Sequence, residues 1–205
     1  MARAFRATTR GYKAEVETHE RRLLSQLCAD VITMLTQRGH EVAGEQTPDD
    51  EFAHFRAELA GLGADLDDDA SPGLAPPEDE VLARLLPAAS ADAEEAAQFR
   101  RLSEGSLRES KIADLRAARL MLESNTVILA EGQAPVFGRA LNDVRLTLAA
   151  RLGIEDEADA EQIHASAGQG GAATTEQFMA ELYVFTTWLQ ETLFSAMLDV
   201  LPEDD

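Results

Sequence analysis

Cysteine occurs once in these 205 residues, as Cys28, which excludes an intramolecular disulfide and any cysteine-rich metal framework. Aromatic side chains are only 5% of the composition, so Leu, Ala and Val must fill a core that the 45% hydrophobic content is large enough to build. Cations are scarce as well. Eighteen Lys and Arg stand against thirty-eight Asp and Glu, and the formal charge of −20 opposes attraction to phosphate backbones or anionic lipid, so autonomous nucleic-acid binding is not expected. The stretch holding Arg3, Arg6, Arg10 and Lys13 is a small exception, with no acid before Glu15. No apolar run approaches the ~20 residues of a membrane helix, and Met1-Ala-Arg-Ala-Phe5 leads into no signal-peptide core, which makes the cytoplasm the expected location.

Catalytic motifs are missing too. There is no Gly-x-Ser-x-Gly elbow, no Walker loop and no Gly-x-Gly-x-x-Gly, and the glycines of Gly168-Gln-Gly-Gly171 follow no strand that would make them a phosphate cradle. The four histidines, His19, His40, His54 and His164, lie in unrelated contexts without ligand spacing, so no metal site is expected. Asp65, Asp67 and Asp69 start like a calcium loop, but Ala70 stands where the turn needs glycine and Pro76 where the bidentate glutamate belongs. The expectation is a protein that is not an enzyme and needs no cofactor.

What is present reads as a mainly α domain: a helical bundle of about six to eight helices with a small antiparallel sheet. Residues 3–8 and 11–16 alternate in polarity about Thr9-Arg10-Gly11 as a β-hairpin, and Thr126-Val-Ile-Leu-Ala130 reads as a third strand. Thr18 is positioned to cap a helix that runs to Arg38 and ends at Gly39, burying Leu24, Cys28, Val31 and Leu35. Further helices are expected from Pro48 with Phe52, Phe55 and Leu59 inward, from Glu78 to Leu86, from Ala91 to Leu102, and from a Ser106–Glu109 capping box to Glu123. Pro135 starts another, with Phe137, Leu141, Val144, Leu148 and Leu152 in one stripe and Gly153 at its end. Thr174-Thr-Glu-Gln177 caps the last helix, whose apolar surface is wide enough to be central to the domain or to cover a partner.

The boundaries follow from composition. Residues 64–80 hold seven acids, no base, three prolines and a glycine, the pattern of a mobile acidic linker interrupting a single domain over 1–201, and 202–205 form an acidic tail. Residues 155–161 carry five acids and read as part of a loop region. Candidate functional residues are few. Cys28 is the one redox candidate, although its place on a buried stripe suits a packed small hydrophobe better. Tyr183, Trp188 and Phe194 are interface candidates for a homodimer through the last helix, and Asp143 and Arg145 are candidates for a polar pair that fixes helix packing.

A series of segments carries a family resemblance: Arg84-Leu-Leu-Pro87, Phe99-Arg-Arg-Leu102 before a capped Lys/Arg-rich helix, Ala140-Leu-Asn-Asp-Val-Arg-Leu-Thr-Leu148, and Tyr183 with Thr187-Trp-Leu-Gln-Glu191. In order and spacing, with the Phe-Arg hairpin before them, these resemble the actinobacterial oxidative-stress regulator family, formerly a domain of unknown function and encoded near the Clp protease adaptor and sulfur-metabolism genes. The resemblance implies a cytoplasmic regulator that acts in transcription under oxidative stress through contact with a sigma factor or RNA polymerase. The gene neighbourhood implies the alternative, an adaptor or modulator of the Clp system. A switch built on an intramolecular disulfide cannot operate with Cys28 alone.

Overall fold

The computed structural model describes residues 2–45, 73–167 and 174–200. Its elements, in chain order, are β1 (Arg3–Thr8), β2 (Gly11–Glu15), α1 (Thr18–Glu45), α2 (Glu80–Leu85), α3 (Ala93–Met121), β3 (Thr126–Leu129), α4 (Ala134–Arg151), α5 (Glu157–Ser166) and α6 (Thr175–Leu198). Six helices and one three-stranded antiparallel sheet therefore make up the described residues, as the patterning implies. They form two compact units, one of residues 1–33 and 110–205 and one of residues 34–109. The expected helix from Pro48 and residues 64–72 of the acidic stretch lie outside the described residues, as do Gly168–Gly171 and the tail.

In the first unit the strands run in the order β1-β2-β3. The hairpin turn closes at Gly11, whose φ of 102° only glycine adopts freely, and a Cβ there would lie 2.1 Å from the Leu129 carbonyl oxygen, so glycine also admits β3 alongside. Phe5, Tyr12, Ala14, Val16, Val127 and Leu129 face inward. Phe5 meets Phe137 of α4 edge-to-face at 5.9 Å, and its backbone N–H donates to Thr192 Oγ1 of α6 at 3.3 Å. Helices α4 and α6 pack together where Gly138 leaves room for the Phe194 ring, and Gln190 Nε2 donates to the Gly138 carbonyl at 3.1 Å. The width of the apolar surface on α6 follows from its place against α4, α5 and the sheet.

Helix ends follow local chemistry. Gly153, at φ 65°, closes α4 in a Schellman motif, with Gly153 N–H to the Ala150 carbonyl and Ile154 N–H to that of Ala149. Thr174 and Gln177 form the expected capping box of α6. The acids of 155–161 belong to a helix start: Asp156 and Asp159 form a reciprocal capping box that opens α5, where acidic residues meet the positive end of the helix dipole.

Three expectations about boundaries are corrected. Gly39 does not end α1; it is an interior helical residue against which the Arg108 guanidinium lies, 3.0 Å from where a Cβ would be. Gly105 and Ser106 do not divide α3, because Gly105 keeps a negative φ and the Ser106 hydroxyl bonds back to the Ser103 carbonyl at 3.0 Å instead of capping a new start. Thr18 is the first residue of α1, not its cap: its hydroxyl donates to Asn125 Oδ1, while the Glu20 carboxylate accepts from the Glu17 and Ala2 N–H groups.

The second unit is built from the later part of α1, α2 and the earlier part of α3. Asp79 caps α2 by accepting from Leu82 N–H at 3.0 Å, and α2 buries Val81, Leu82 and Leu85. Residues 73–77 are tied down, with Leu74 N–H donating to the Ala97 carbonyl, Arg38 Nη2 to that of Ala75, and Pro77 buried.

Candidate functional site

Helix α4 buries Phe137, Leu141, Val144 and Leu148 as its stripe requires, and with Ala134, Gly138, Ala140, Thr147, Ala149 and Ala150 also buried, most of its circumference is enclosed. Asp143 consequently lies inside, with 3% of its side chain exposed. Its partner is Lys111 of α3, Nζ to Oδ1 at 2.6 Å, and not the neighbouring Arg145. One turn away the signs reverse: Arg139 of α4 grips Asp114 of α3 with two bonds of 2.6 and 3.0 Å. Lys111 and Asp114 thus oppose Asp143 and Arg139, a crossed pair of charges that admits one register of α3 on α4.

Electrostatics at Asp143 are a contest. Burial raises its pKa above the ordinary carboxylate value and Asp114 adds to this, while the Lys111 hydrogen bond and charge, with Arg139, pull it down; burial prevails. Cys28 of α1 belongs to the same interior, 1% exposed. Burial pushes its thiol up to about 12, with Arg119 opposing and Asp143 reinforcing the rise. At neutral pH the sulfur is a protonated, packed side chain, and neither nucleophilic attack nor oxidation has a thiolate to start from.

A second polar cluster occupies the unit of residues 34–109. Glu104, 2% exposed in its side chain, receives Arg38 at 2.9 Å, Arg100 at 3.3 Å and Arg108 at 3.4 Å. Arg100 also donates to the Leu86 carbonyl at 2.9 Å, where α2 ends before Pro87. The i, i+4, i+8 order Arg100, Glu104, Arg108 is readable in sequence, and sequence reasoning missed it by expecting a helix break at Gly105. Lys111 and Asp114 were missed because Asp143 and Arg145 were singled out with no partner named on another helix; the signal was a pair of opposite charges three apart on the inward side of α3.

A family model described as a domain of unknown function, DUF2017, matches residues 2–197. The chain belongs to the DUF2017 family. No curated protein and no solved structure matches it.

In this DUF2017 domain the three interface candidates do not share a surface. Tyr183 is buried and meets His164 of α5 edge-to-face at 5.8 Å; Trp188 is half-buried and stacks with Phe185 at 6.1 Å; Phe194 is 41% exposed above Gly138. Arg145 donates to Asn142 Oδ1 at 3.0 Å. An open cleft at the start of α1 is lined by Glu17, Thr18, His19, Arg22, Leu23 and Asn125, where His19 pairs with Glu17 at 3.4 Å. Among the described residues no three His, Cys, Asp or Glu converge as metal ligands, and no helix is long and apolar enough to cross a membrane.

Unspent apolar surface lies on α3. At 100° per residue, Phe99, Leu102, Ser103, Ser106 and Leu107 fall within one arc of about 140°, bordered by the buried Arg100 and facing away from Glu104, and all five are exposed. Phe99 is 53% exposed and Leu102 51%, in a stripe without a formal charge.

Proposed function

We propose that this DUF2017 protein is a cytoplasmic regulator that performs no chemistry of its own and acts in transcription and the oxidative-stress response through protein contacts, a sigma factor or RNA polymerase being the partner. The observation that carries this reading is the uncharged exposed stripe of Phe99, Leu102 and Leu107 on a strongly acidic molecule, since contiguous exposed apolar side chains mark contact surfaces. The resemblance to the oxidative-stress regulators supports the choice of partner, and Phe99 and Leu102 belong to one of the segments that carry it. Buried polar groups support the non-enzymatic part, because Asp143 and Glu104 are each held by basic side chains that bind helices to one another.

Under this reading the trigger is not direct oxidation of the folded Cys28 thiol, whose burial leaves it protonated. The test is co-purification of the tagged chain from its native cell under reducing and oxidising conditions. Recovery of a sigma factor or RNA polymerase is expected. Recovery of neither, together with an altered degradation rate in a reconstituted Clp assay, would replace this reading with the protease-adaptor one.

A further inference from the structure

Residues three apart on a strand face opposite sides of a sheet, yet Arg3 and Arg6 share one here. Arg3 pairs with Glu15 and Arg6 with Lys13, and the one-residue shift between these pairs is a β-bulge that turns both arginines outward. Lys13 in turn pairs with Ile128, so one row across the three strands reads Arg6, Lys13, Ile128 and the next reads Arg3, Glu15, Thr126. Ile128 is 46% exposed and the Lys13 side chain 44%.

Three cations on this face meet one carboxylate. Glu15 is shared between Arg3 at 3.2 Å and Lys13 at 3.5 Å, leaving Arg6 with no carboxylate among the described residues. Like charges directly opposite on adjacent strands destabilise a sheet, so Arg6 beside Lys13 is a cost that folding does not require. An incoming anion removes it.

We propose that this outward sheet face, formed by Arg3, Arg6, Lys13 and Ile128, docks a short acidic segment of a partner protein, with carboxylates on the cations and an aliphatic side chain on Ile128. Guanidinium groups take carboxylates in two-bonded pairs, and the apolar row end suits a peptide side chain. Nucleic acid fits less well. The aromatic rings of the sheet, Phe5 and Tyr12, are both buried, so no base can stack on it, and a long polyanion would extend past the patch onto a molecule of net charge −20. A short peptide matches the patch alone. The inference does not depend on the regulatory reading above.

The probe is a fluorescein-labelled peptide of Asp and Glu flanking a central Leu-Ile, titrated with the full chain by anisotropy and mapped by amide chemical shifts. Saturable binding is expected, weakening as salt rises, with shifts centred on Arg3, Arg6, Lys13 and Ile128. Arg6→Glu with Lys13→Glu is expected to lower affinity by roughly tenfold or more, Ile128→Thr by several-fold, and Arg6→Lys to retain most of it. Arg6→Glu alone gives Lys13 an opposite charge across the strands, so it is expected to raise the melting temperature while weakening binding, a combination that a merely structural role would not produce. Absence of saturable peptide binding by the wild-type chain, shifts centred elsewhere, or tighter binding of a single-stranded oligonucleotide of equal charge would each overturn the proposal.

Discussion

Individual buried side chains set the chemistry available to this protein. Cys28 is expected to resist a disulfide reagent in the folded chain and to react at once in denaturant; rapid reaction of the native protein would contradict its burial. Because its folded pKa of about 12 lies above the ordinary thiol value of 9.0, the folded state holds the thiol proton longer than the unfolded state does. The stability this contributes is complete below about pH 9 and is lost as pH rises towards 12, so Cys28→Ala should flatten the alkaline limb of the stability curve relative to wild type. Asp143 works in the same sense at lower pH. Its pKa is raised, so relative to Asp143→Asn the wild type should lose stability as pH rises from about 4, measured by denaturant unfolding at several pH values. A wild type that gained relative to the variant would show that Lys111, not burial, dominates.

At the scale of elements, helix pairing rests on a few charged contacts. Lys111→Met leaves the Asp143 carboxylate buried without its partner and is expected to cost about 2–4 kcal/mol at pH 7, somewhat below the loss for a fully buried pair because Lys111 keeps 19% exposure. Adding Asp143→Asn should recover most of that loss, and a strictly additive double variant would deny the coupling. Continuity of α3 has its own test. Nothing lies within 4 Å of where a Gly105 Cβ would be, so Gly105→Ala should stabilise by about 0.5–1 kcal/mol, whereas a break there would make it destabilising. The hairpin about Thr9-Arg10, the third strand, the short helix stopped by Pro87 and the helix capped at Thr174 are legible in sequence because alternation, caps and prolines act locally. The passage of α1 through Gly39 and of α3 through Gly105 is not, because a helical glycine reads as a stop until the contacts of Arg108 with Gly39 and Glu104 are known. Helix α5 was hidden by its own charge: five acids resemble a solvated loop, yet Asp156 and Asp159 use theirs to cap a helix.

On the scale of the molecule, the polar interior and the outer surface divide the work. Asp143 and Glu104 are committed to holding helices in register, and Cys28 is sealed, so the legible part of the candidate site was its position and not its role: Asp143 could be read from sequence, Lys111 and the arginines around Glu104 could not. The surface keeps the features that a partner would use, the uncharged stripe on α3 and the cationic face of the sheet. The most direct measurement of the contact-module reading is equilibrium binding of the purified full chain to RNA polymerase holoenzyme and to isolated sigma factors, comparing wild type with Phe99→Ser/Leu102→Ser. Specific binding by the wild type and roughly tenfold or greater weakening in the variant, with helical content and melting temperature unchanged, is the expected result. Equal binding by both proteins, or none by the wild type, would contradict it.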